Sequence, residues 1–297
     1  MPEETPLVSI VTITFNLLKA NREKYFRQNL ESVHNQTYEN IEHIIIDGAS
    51  TDGTVDLIKE YADKGWVKYI SEPDTGIYEA MNKGVKLAKG KYIAFLNSDD
   101  YYHNNNGVEL SIKALEESNA DFSYAPVLNL DEANNFKQVT YPKISNVFFT
   151  IVPNHQTMFT KRSVIIDEGM FDIRYKCVAD YDLTVRLCLK KYTSVFVKDI
   201  FTTYRWGGFS LEALKQGLVF REVSDIYYRN YKKLCPITRE ESEKMCGDLY
   251  CENYQDIPEG LAKKLRYFEP YFDYEEYLDR VNFLTKQEKE FSYSRKI

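Results

Sequence analysis

The 297-residue chain predicts an α/β fold, with a mixed, mainly parallel sheet flanked by helices and a helical appendage at the C-terminal end. Three observations carry that prediction. Apolar, β-branched runs recur at Leu7 to Phe15, Ile41 to Asp47 and Lys91 to Leu96, as strands buried on both faces require. Segments with apolar residues at helical spacing separate them, and a βαβα alternation implies a parallel sheet with right-handed crossovers. Each run also ends in short polar or acidic residues, and in open α/β sheets ligands bind at the carboxyl ends of the strands.

Taken in order, Leu7 to Phe15 forms the first strand and ends at Thr14-Phe15-Asn16. No GxGxxG or Walker-type glycine loop follows, which counts against a dinucleotide-binding or P-loop protein. Ala20 to Gln36 sets Tyr25, Phe26, Asn29, Leu30 and Val33 on one helical face. The second strand, Ile41 to Asp47, leads through Gly48 to Gly53 into a helix over Thr54 to Lys64, with Ser50, Thr51 and Asp52 as capping residues. Trp66 to Ser71 is the third strand, and the turn Pro73-Asp74-Thr75-Gly76 opens a helix from Ile77 to Lys89. The fourth strand then runs without a break into Asn97-Ser98-Asp99-Asp100.

A helix over Gly107 to Ser118 precedes a strand at Asp121 to Val127, and Asp131 to Asn135 reads as a hairpin tip before Phe136 to Tyr141. Beyond this the regular alternation stops. Asn154 to Phe159 reads as strand-like and carries His155. Val178 opens a helix through Lys190, Ser194 to Arg205 supplies one or two strands, and Trp206 to Ser210 is a mobile loop whose glycines permit closure over a ligand. Helical patterns follow from Leu211 to Tyr231, Glu240 to Tyr254, Leu261 to Phe268 and Tyr274 to Phe291. The expected division is therefore 1–210, with halves at 7–105 and 106–210, followed by 211–297.

A net charge of −7 argues against nucleic acid as a partner, because such binders present a positive field. An acidic protein can still hold an anionic ligand where a metal ion and helix N-termini neutralise it locally. No apolar run approaches the roughly 18 residues of a membrane span. The Met1 to Pro6 start lacks the pattern of a signal peptide, so the expected location is the cytoplasm. The five cysteines, at positions 177, 188, 235, 246 and 251, have no CxxC spacing and read as reduced thiols.

Several residues carry two readings. Asp99 and Asp100 stand where a divalent cation and a phosphorylated ligand would be held, yet Asn, Ser and Asp are also ordinary turn residues. Asp47 is likewise a ligand-facing carboxylate or a turn residue. His155 is a substrate contact or a satisfied structural histidine. Asp180 and Asp182 are catalytic candidates or first-turn acids that favour the helix dipole.

Four segments narrow the choice. They are Val8 to Asn16, Ile44 to Thr54, Glu72-Pro73-Asp74-Thr75-Gly76-Ile77-Tyr78-Glu79-Ala80-Met81-Asn82-Lys83-Gly84, and Gly90 to Asp100. Together they closely resemble glycosyltransferase family 2, over about residues 7 to 210. That resemblance implies a GT-A fold and an inverting, hexosyltransferase-type enzyme. The enzyme would move a sugar from a nucleoside-diphosphate sugar, a UDP-sugar first, to a hydroxyl acceptor. The acceptor class is a glycan or a lipid-linked intermediate of cell-surface polysaccharide synthesis. The resemblance assigns Thr14, Phe15, Asn16, Asp47, Asp74, Gly76, Asn82, Asn97 and Ser98 to the donor nucleotide. It gives Asp99 to Mn²⁺ or Mg²⁺ and Asp180 the role of general base, with Asp100, His155, Asp182 and Gly208 as further substrate contacts. It also allows peripheral association with the inner face of a membrane and self-association through the C-terminal helices.

Three departures from the family pattern are visible: Asn97 replaces the first Asp of DxD, Gly48 the second Asp of Asp-Asp-Gly-Ser, and Ala179 the Glu before the base. Asn97 can accept a hydrogen bond but adds no charge. A catalytically silent nucleotide-sugar-binding or scaffold protein is one alternative, since fold does not fix function. A nucleotidyltransferase is the other, although the basic, glycine-rich loop it needs after the first strand is missing.

Overall fold

Strand β1 (Val8–Thr14) is buried at every position but Ile13, as expected of a strand covered on both faces. In the computed structural model, which describes residues 5–148, 151–233 and 236–243, it is followed by α1 (Glu23–His34), β2 (Ile41–Asp47), α2 (Thr54–Asp63), β3 (Lys68–Ser71), α3 (Ile77–Leu87) and β4 (Tyr92–Phe95). Next come β5 (Tyr101–Tyr102), α4 (Gly107–Ser118), β6 (Phe122–Tyr124), β7 (Val127–Asp131), β8 (Phe136–Thr140), β9 (Phe159–Lys161), α5 (Arg162–Asp167), α6 (Ala179–Leu189), β10 (Ser194–Phe196), β11 (Thr202–Arg205), α7 (Gly208–Lys215) and α8 (Leu218–Tyr231).

The larger sheet has seven strands in the order β10-β6-β9-β4-β1-β2-β3. Its pairs are parallel except where β9 runs against β4 and β6, so the sheet is mixed and mainly parallel. Register decides where the site lies: Thr14 is level with Asp47, and Asp47 with Ser71. Helix α3 approaches β1 most closely at Gly84, where a Cβ would lie 2.5 Å from Val11 Cγ1. Phe26 and Leu30 of α1 pack with Ile45, Leu57, Ile58 and Tyr61 in one apolar cluster. Val8, Ile10, Tyr92, Ala94, Phe159 and Phe201 belong to another.

Two stretches differ from their sequence readings. Asp121 to Val127 is not one strand: β6 stays in the large sheet, while β7 pairs with β11 and β8 in a second sheet of order β5-β11-β7-β8. Pro126 lies in the break, and a residue without N–H cannot continue a ladder. Residues 154–159 are not extended throughout, because His155–Thr157 forms a 3-10 turn ahead of β9. The glycine loop is also shorter than its pattern suggested. α7 begins at Gly208, and Trp206 is tied to β7 through its indole N–H to Asn129 Oδ1 (3.2 Å) and its backbone N–H to the Leu130 carbonyl (2.8 Å).

The chain divides into two compact units, Met1–Pro142 with Pro153–Gly208, and Lys143–Val152 with Phe209–Ile297. In the second, α8 buries Val223, Ile226, Tyr227 and Tyr231. The Tyr227 and Tyr231 rings stack at 5.0 Å, and the Tyr231 hydroxyl donates to the Phe148 carbonyl at 2.7 Å. The helical patterns beyond residue 243, the self-association assigned to them and the cysteines at 235, 246 and 251 lie outside the described residues. Among the described residues no helix is long and apolar enough to cross a membrane.

Candidate active site

The level carboxyl ends of β1, β2 and β3 bring Thr14, Asp47 and Ser71 together. Asp47 is fully buried. Its Oδ1 accepts from the hydroxyls of Thr14 (2.9 Å) and Ser50 (2.6 Å), and its Oδ2 from the Ser50 backbone N–H (2.8 Å) and the Ser71 hydroxyl (2.7 Å). Four acceptor positions are about what a carboxylate offers, and at Asp47 all four are met by protein donors. The same knot locks the neighbouring loops: Asn16 N–H donates to Ser50 Oγ at 2.7 Å, and Thr51 N–H to Asn16 Oδ1 at 3.0 Å. Ser50 and Thr51 thus bind the two loops to each other, and Asp52 alone acts on the start of α2, accepting from Thr54 N–H at 3.1 Å.

Phe15, by contrast, is 65% exposed and lies beside the position of the missing second Asp. A Cβ on Gly48 would stand 3.2 Å from the Phe15 ring and 2.8 Å from Asp74 Oδ2. Asp74 therefore occupies space that a side chain at 48 would need. Its Oδ1 accepts from Gly76 N–H at 2.9 Å, and burial raises its carboxyl pKa above the ordinary value despite that bond. The Gly76 backbone sits at φ +140°, a region open mainly to glycine. Asn82 is not at the surface of this site. Its amide donates to the Phe171 carbonyl (2.8 Å) and accepts from the Phe171 N–H (2.9 Å), so it pins the turn after α5.

After β4 the chain turns through Asn97 to Asp100, held from below by Asn29 of α1. The Asn29 amide donates to the carbonyls of Asn97 (2.9 Å) and Asp100 (3.0 Å). Asp100 is fully buried and accepts from Arg205 N–H (2.8 Å), Gln156 Nε2 (2.9 Å) and Asn97 Nδ2 (3.1 Å). Burial, and then the neighbouring Asp99 charge, push its carboxyl well above the carboxylate range. It braces the turn. Ser98 and Asp99 remain partly exposed, and Asp99 pairs with the Arg22 guanidinium.

Asp180, in the first turn of α6, accepts from the Tyr78 hydroxyl at Oδ1 (2.7 Å) and meets His155 Nδ1 at Oδ2 (2.8 Å). An ionised carboxylate only accepts, so Nδ1 carries the proton. His155 Nε2 lies 3.4 Å from Asn97 Oδ1, an acceptor because Asn97 donates through Nδ2 to Asp100, so the imidazolium, protonated at both nitrogens, bridges the two. Burial works to raise the Asp180 carboxyl, but the bond to His155, its charge and the Tyr78 hydroxyl outweigh it and leave the pKa below the ordinary value. Asp182, two residues on, is buried, and its carboxylate pairs with Arg186 Nε at 2.8 Å. The two acids face different ways, as their helical spacing requires.

Tyr78, Asn29, Gln156, Arg22 and Arg205 all shape the site without having stood out in the sequence. Tyr78 was at least within a recognisable segment. Nothing local marks the others, whose partners in the Asn97 to Asp100 turn are 56 to 106 positions away. Gly208, at φ +63°, lies against Arg22, since a Cβ there would be 2.8 Å from Arg22 Nη2.

No group of three or more His, Cys, Asp or Glu side chains is gathered for a metal among the described residues. Mg²⁺ and similar hard cations are commonly held by one or two carboxylates plus substrate phosphates. The residues present fit that arrangement, with Asp99 as the protein ligand and a diphosphate supplying the rest, and not an all-protein metal centre.

Comparison with known proteins agrees with the geometry. The family model described as Glycosyl transferase family 2 matches residues 9–171. An uncharacterized glycosyltransferase of Rickettsia bellii is 40% identical over 116 residues, 39% of this chain and 17% of the relative. A PGL/p-HBAD biosynthesis glycosyltransferase of Mycobacterium bovis is 29% identical over 184 residues, 61% of this chain and 69% of the relative. Chondroitin synthase of Escherichia coli is 34% identical over 194 residues, 62% of this chain. This chain thus spans only 17% and 27% of the first and third of these. Among solved structures, S. aureus TarS in complex with UDP aligns with a TM-score of 0.61 at 17% identity, covering 87% of this chain and 75% of that one. A mannosyltransferase of Pyrobaculum calidifontis, in complex with GDP-Man and Mn²⁺, aligns at 0.60 and 14%, covering 96% and 86%. Both share the GT-A fold. With the family model matched over more than half its length, and the acids of its motifs gathered at the strand ends, the chain belongs to glycosyltransferase family 2.

Proposed function

We propose that the protein transfers a sugar, with inversion, from a nucleoside-diphosphate sugar to a hydroxyl acceptor, with Asp180 as the general base. The observation that carries this is the chain Asp180–His155–Asn97, which links a carboxylate of lowered pKa to the carboxyl end of β4. A sugar hydroxyl is a poor nucleophile at neutral pH and needs an ionised group within hydrogen-bond reach. Asp180 is one, and beyond its bonds to Tyr78, His155 and the Tyr181 backbone a carboxylate keeps acceptor capacity for the incoming hydroxyl. Its oxygen accepts the acceptor's proton as the acceptor oxygen attacks the anomeric carbon. The bond from that carbon to the diphosphate breaks on the opposite face, and no covalent sugar intermediate forms.

Tyr78 and His155 keep Asp180 ionised and fixed, which spares the reaction the cost of orienting it. The exposed Phe15 ring offers a stacking face for the nucleotide base beside Asp74. A Mg²⁺ or Mn²⁺ on Asp99 would act as a Lewis acid on the leaving diphosphate. Donor chemistry is supported by the UDP, UDP-GlcNAc and GDP-Man seen with structural neighbours, with UDP-sugars the first choice. The mycobacterial and chondroitin relatives support a glycan or lipid-linked acceptor in cell-surface polysaccharide synthesis. Residues 1–210 would carry the transferase and 211–297 an accessory region, working at the cytoplasmic side of a membrane. The test is release of nucleoside diphosphate from a panel of UDP- and GDP-sugars, with the anomeric configuration of the product read by NMR. Release with inversion is expected, and transfer with retained configuration would exclude this chemistry.

A further inference from the structure

Among the described residues the Asp99 carboxylate has one basic partner, Arg22, and it comes from an unexpected place. Arg22 stands just before α1, where its carbonyl accepts from the Tyr25 and Phe26 N–H groups at 3.1 Å and its own N–H donates to the Leu17 carbonyl at 2.9 Å. Its backbone is therefore fixed, while its side chain reaches across to Asp99. The two side chains are 29% and 19% exposed, so the pair lies at the rim. The other arginine of the site is already committed. Arg205 lies between the rings of Tyr25 (4.3 Å) and Tyr101 (4.7 Å), and bonds Gln28 Oε1 (2.5 Å), Glu132 Oε1 (3.1 Å) and the Asp99 carbonyl.

Charge accounting at this rim is unusual for a site that is to receive a diphosphate. Asn97 contributes no charge where the family pattern has an acid, and Asp100 is buried beneath the turn. Asp99 is thus the exposed carboxylate of the turn, and Arg22 already balances it. A diphosphate arriving beside this neutral pair brings negative charge that must be met. A planar guanidinium is well suited to that, since its fork matches phosphate oxygens as well as it matches a carboxylate. The side chain need only pivot on a fixed backbone, beside a glycine at 208 whose lack of Cβ leaves it room.

We infer that Arg22 is a diphosphate-binding residue, held on Asp99 in the ligand-free enzyme and passing its guanidinium to the donor diphosphate when the donor arrives. It follows that Arg22 and a divalent cation are rivals for Asp99, and that a diphosphate is bound appreciably without metal. This rests on the reading of the site as a sugar-nucleotide site.

The test uses the full chain and binding alone. Wild type, Arg22→Gln and Arg22→Lys are titrated by calorimetry with UDP, GDP, UMP and GMP in chelator, and separately with Mn²⁺ alone by electron paramagnetic resonance. Wild type should bind one of the diphosphates in chelator and prefer it over the matching monophosphate. Arg22→Gln should lose about tenfold or more in diphosphate affinity, the worth of a charge-assisted hydrogen bond, with the monophosphate little changed and Arg22→Lys intermediate. The same Arg22→Gln protein should bind Mn²⁺ several-fold more tightly, because Asp99 is released. A variant that is merely misfolded would lose both affinities, and that pattern would overturn the proposal. So would unchanged diphosphate affinity in chelator. If wild type bound neither UDP nor GDP with or without Mn²⁺, the sugar-nucleotide reading itself would fall, a result distinct from an intact site indifferent to Arg22.

Discussion

Replacing Tyr78 with Phe removes one oxygen and leaves almost everything else in place. The ring is 5% exposed and packs beside Phe171 at 5.7 Å, contacts that Phe retains. What goes is the 2.7 Å hydrogen bond from the hydroxyl to Asp180 Oδ1. A hydrogen bond to a charged group is worth about 1.5–3 kcal/mol, and at about 1.36 kcal/mol per pKa unit the Asp180 carboxyl should rise by roughly 1–2 units. A general base works only when ionised, so the acid limb of the kcat/KM profile should move to higher pH by that amount.

Folding stability supplies an independent reading. The folded-state pKa of Asp180 lies below its unfolded value, so its contribution is present above about pH 4 and is lost as pH falls through the folded value. Tyr78→Phe narrows that gap. The variant should lose stability at neutral pH in urea denaturation, and lose less than wild type on further acidification. The rate profile follows from nucleoside diphosphate release across the acidic range. An acid limb that stayed where it is in wild type, with stability lowered, would make Tyr78 a packing residue and remove the reasoning for Asp180 as the titrating base.

Other outcomes follow from the same contacts. Asp47→Ala leaves the four donors of Thr14, Ser50 and Ser71 to find water, and should cost about 3 kcal/mol or more of stability. A stable Asp47→Ala protein with only its donor affinity lost would show instead that Asp47 touches the nucleotide. His43, buried beneath Thr12, is pushed down to about 3 by burial, whereas in the unfolded chain it titrates near 6.5. The unfolded state alone takes up that proton as pH falls below about 6.5, so stability should drop by about 2 kcal/mol between neutral pH and pH 5; His43→Gln should flatten this part of the curve, and an unchanged slope would refute the assignment. Gly84→Ala drives a methyl into Val11 and should cost about 1–3 kcal/mol, measured as a lowered Tm.

The strand ends were legible because their pattern is local. Leu7 to Phe15, Ile41 to Asp47 and Lys91 to Leu96 announce themselves by apolar runs ending in polar residues, whereas Asp180 was singled out by the family resemblance, its helix-start position fitting a capping acid equally well. Which carboxylate faces solvent was not legible, because that depends on partners brought from elsewhere. Asp47 and Asp100 look as available as Asp99 in sequence. Only the structure shows Thr14, Ser50 and Ser71 converging on one, and Gln156 and the Arg205 N–H on the other. The partner of Asn82 was not legible for the same reason, since Phe171 is 89 residues away. The transfer of the chain between sheets at Pro126 was missed because both halves have strand-like composition, and a break of two residues leaves the alternation looking continuous.

Asp180 and Asp182 give the sharpest discrimination, because they differ by two positions yet differ entirely in partners. Donor affinity and transfer rate of the Asp180→Asn and Asp182→Asn proteins, measured side by side, decide between them. With Asp180 as the base, Asp180→Asn binds nucleoside diphosphate as wild type does and transfers at least about 10²-fold more slowly, the usual share of general-base catalysis. Asp182→Asn, whose carboxylate pairs with Arg186 and not with His155 or Tyr78, turns over near the wild-type rate with lowered stability. Near-normal transfer by Asp180→Asn beside an inactive but folded Asp182→Asn would contradict the assignment.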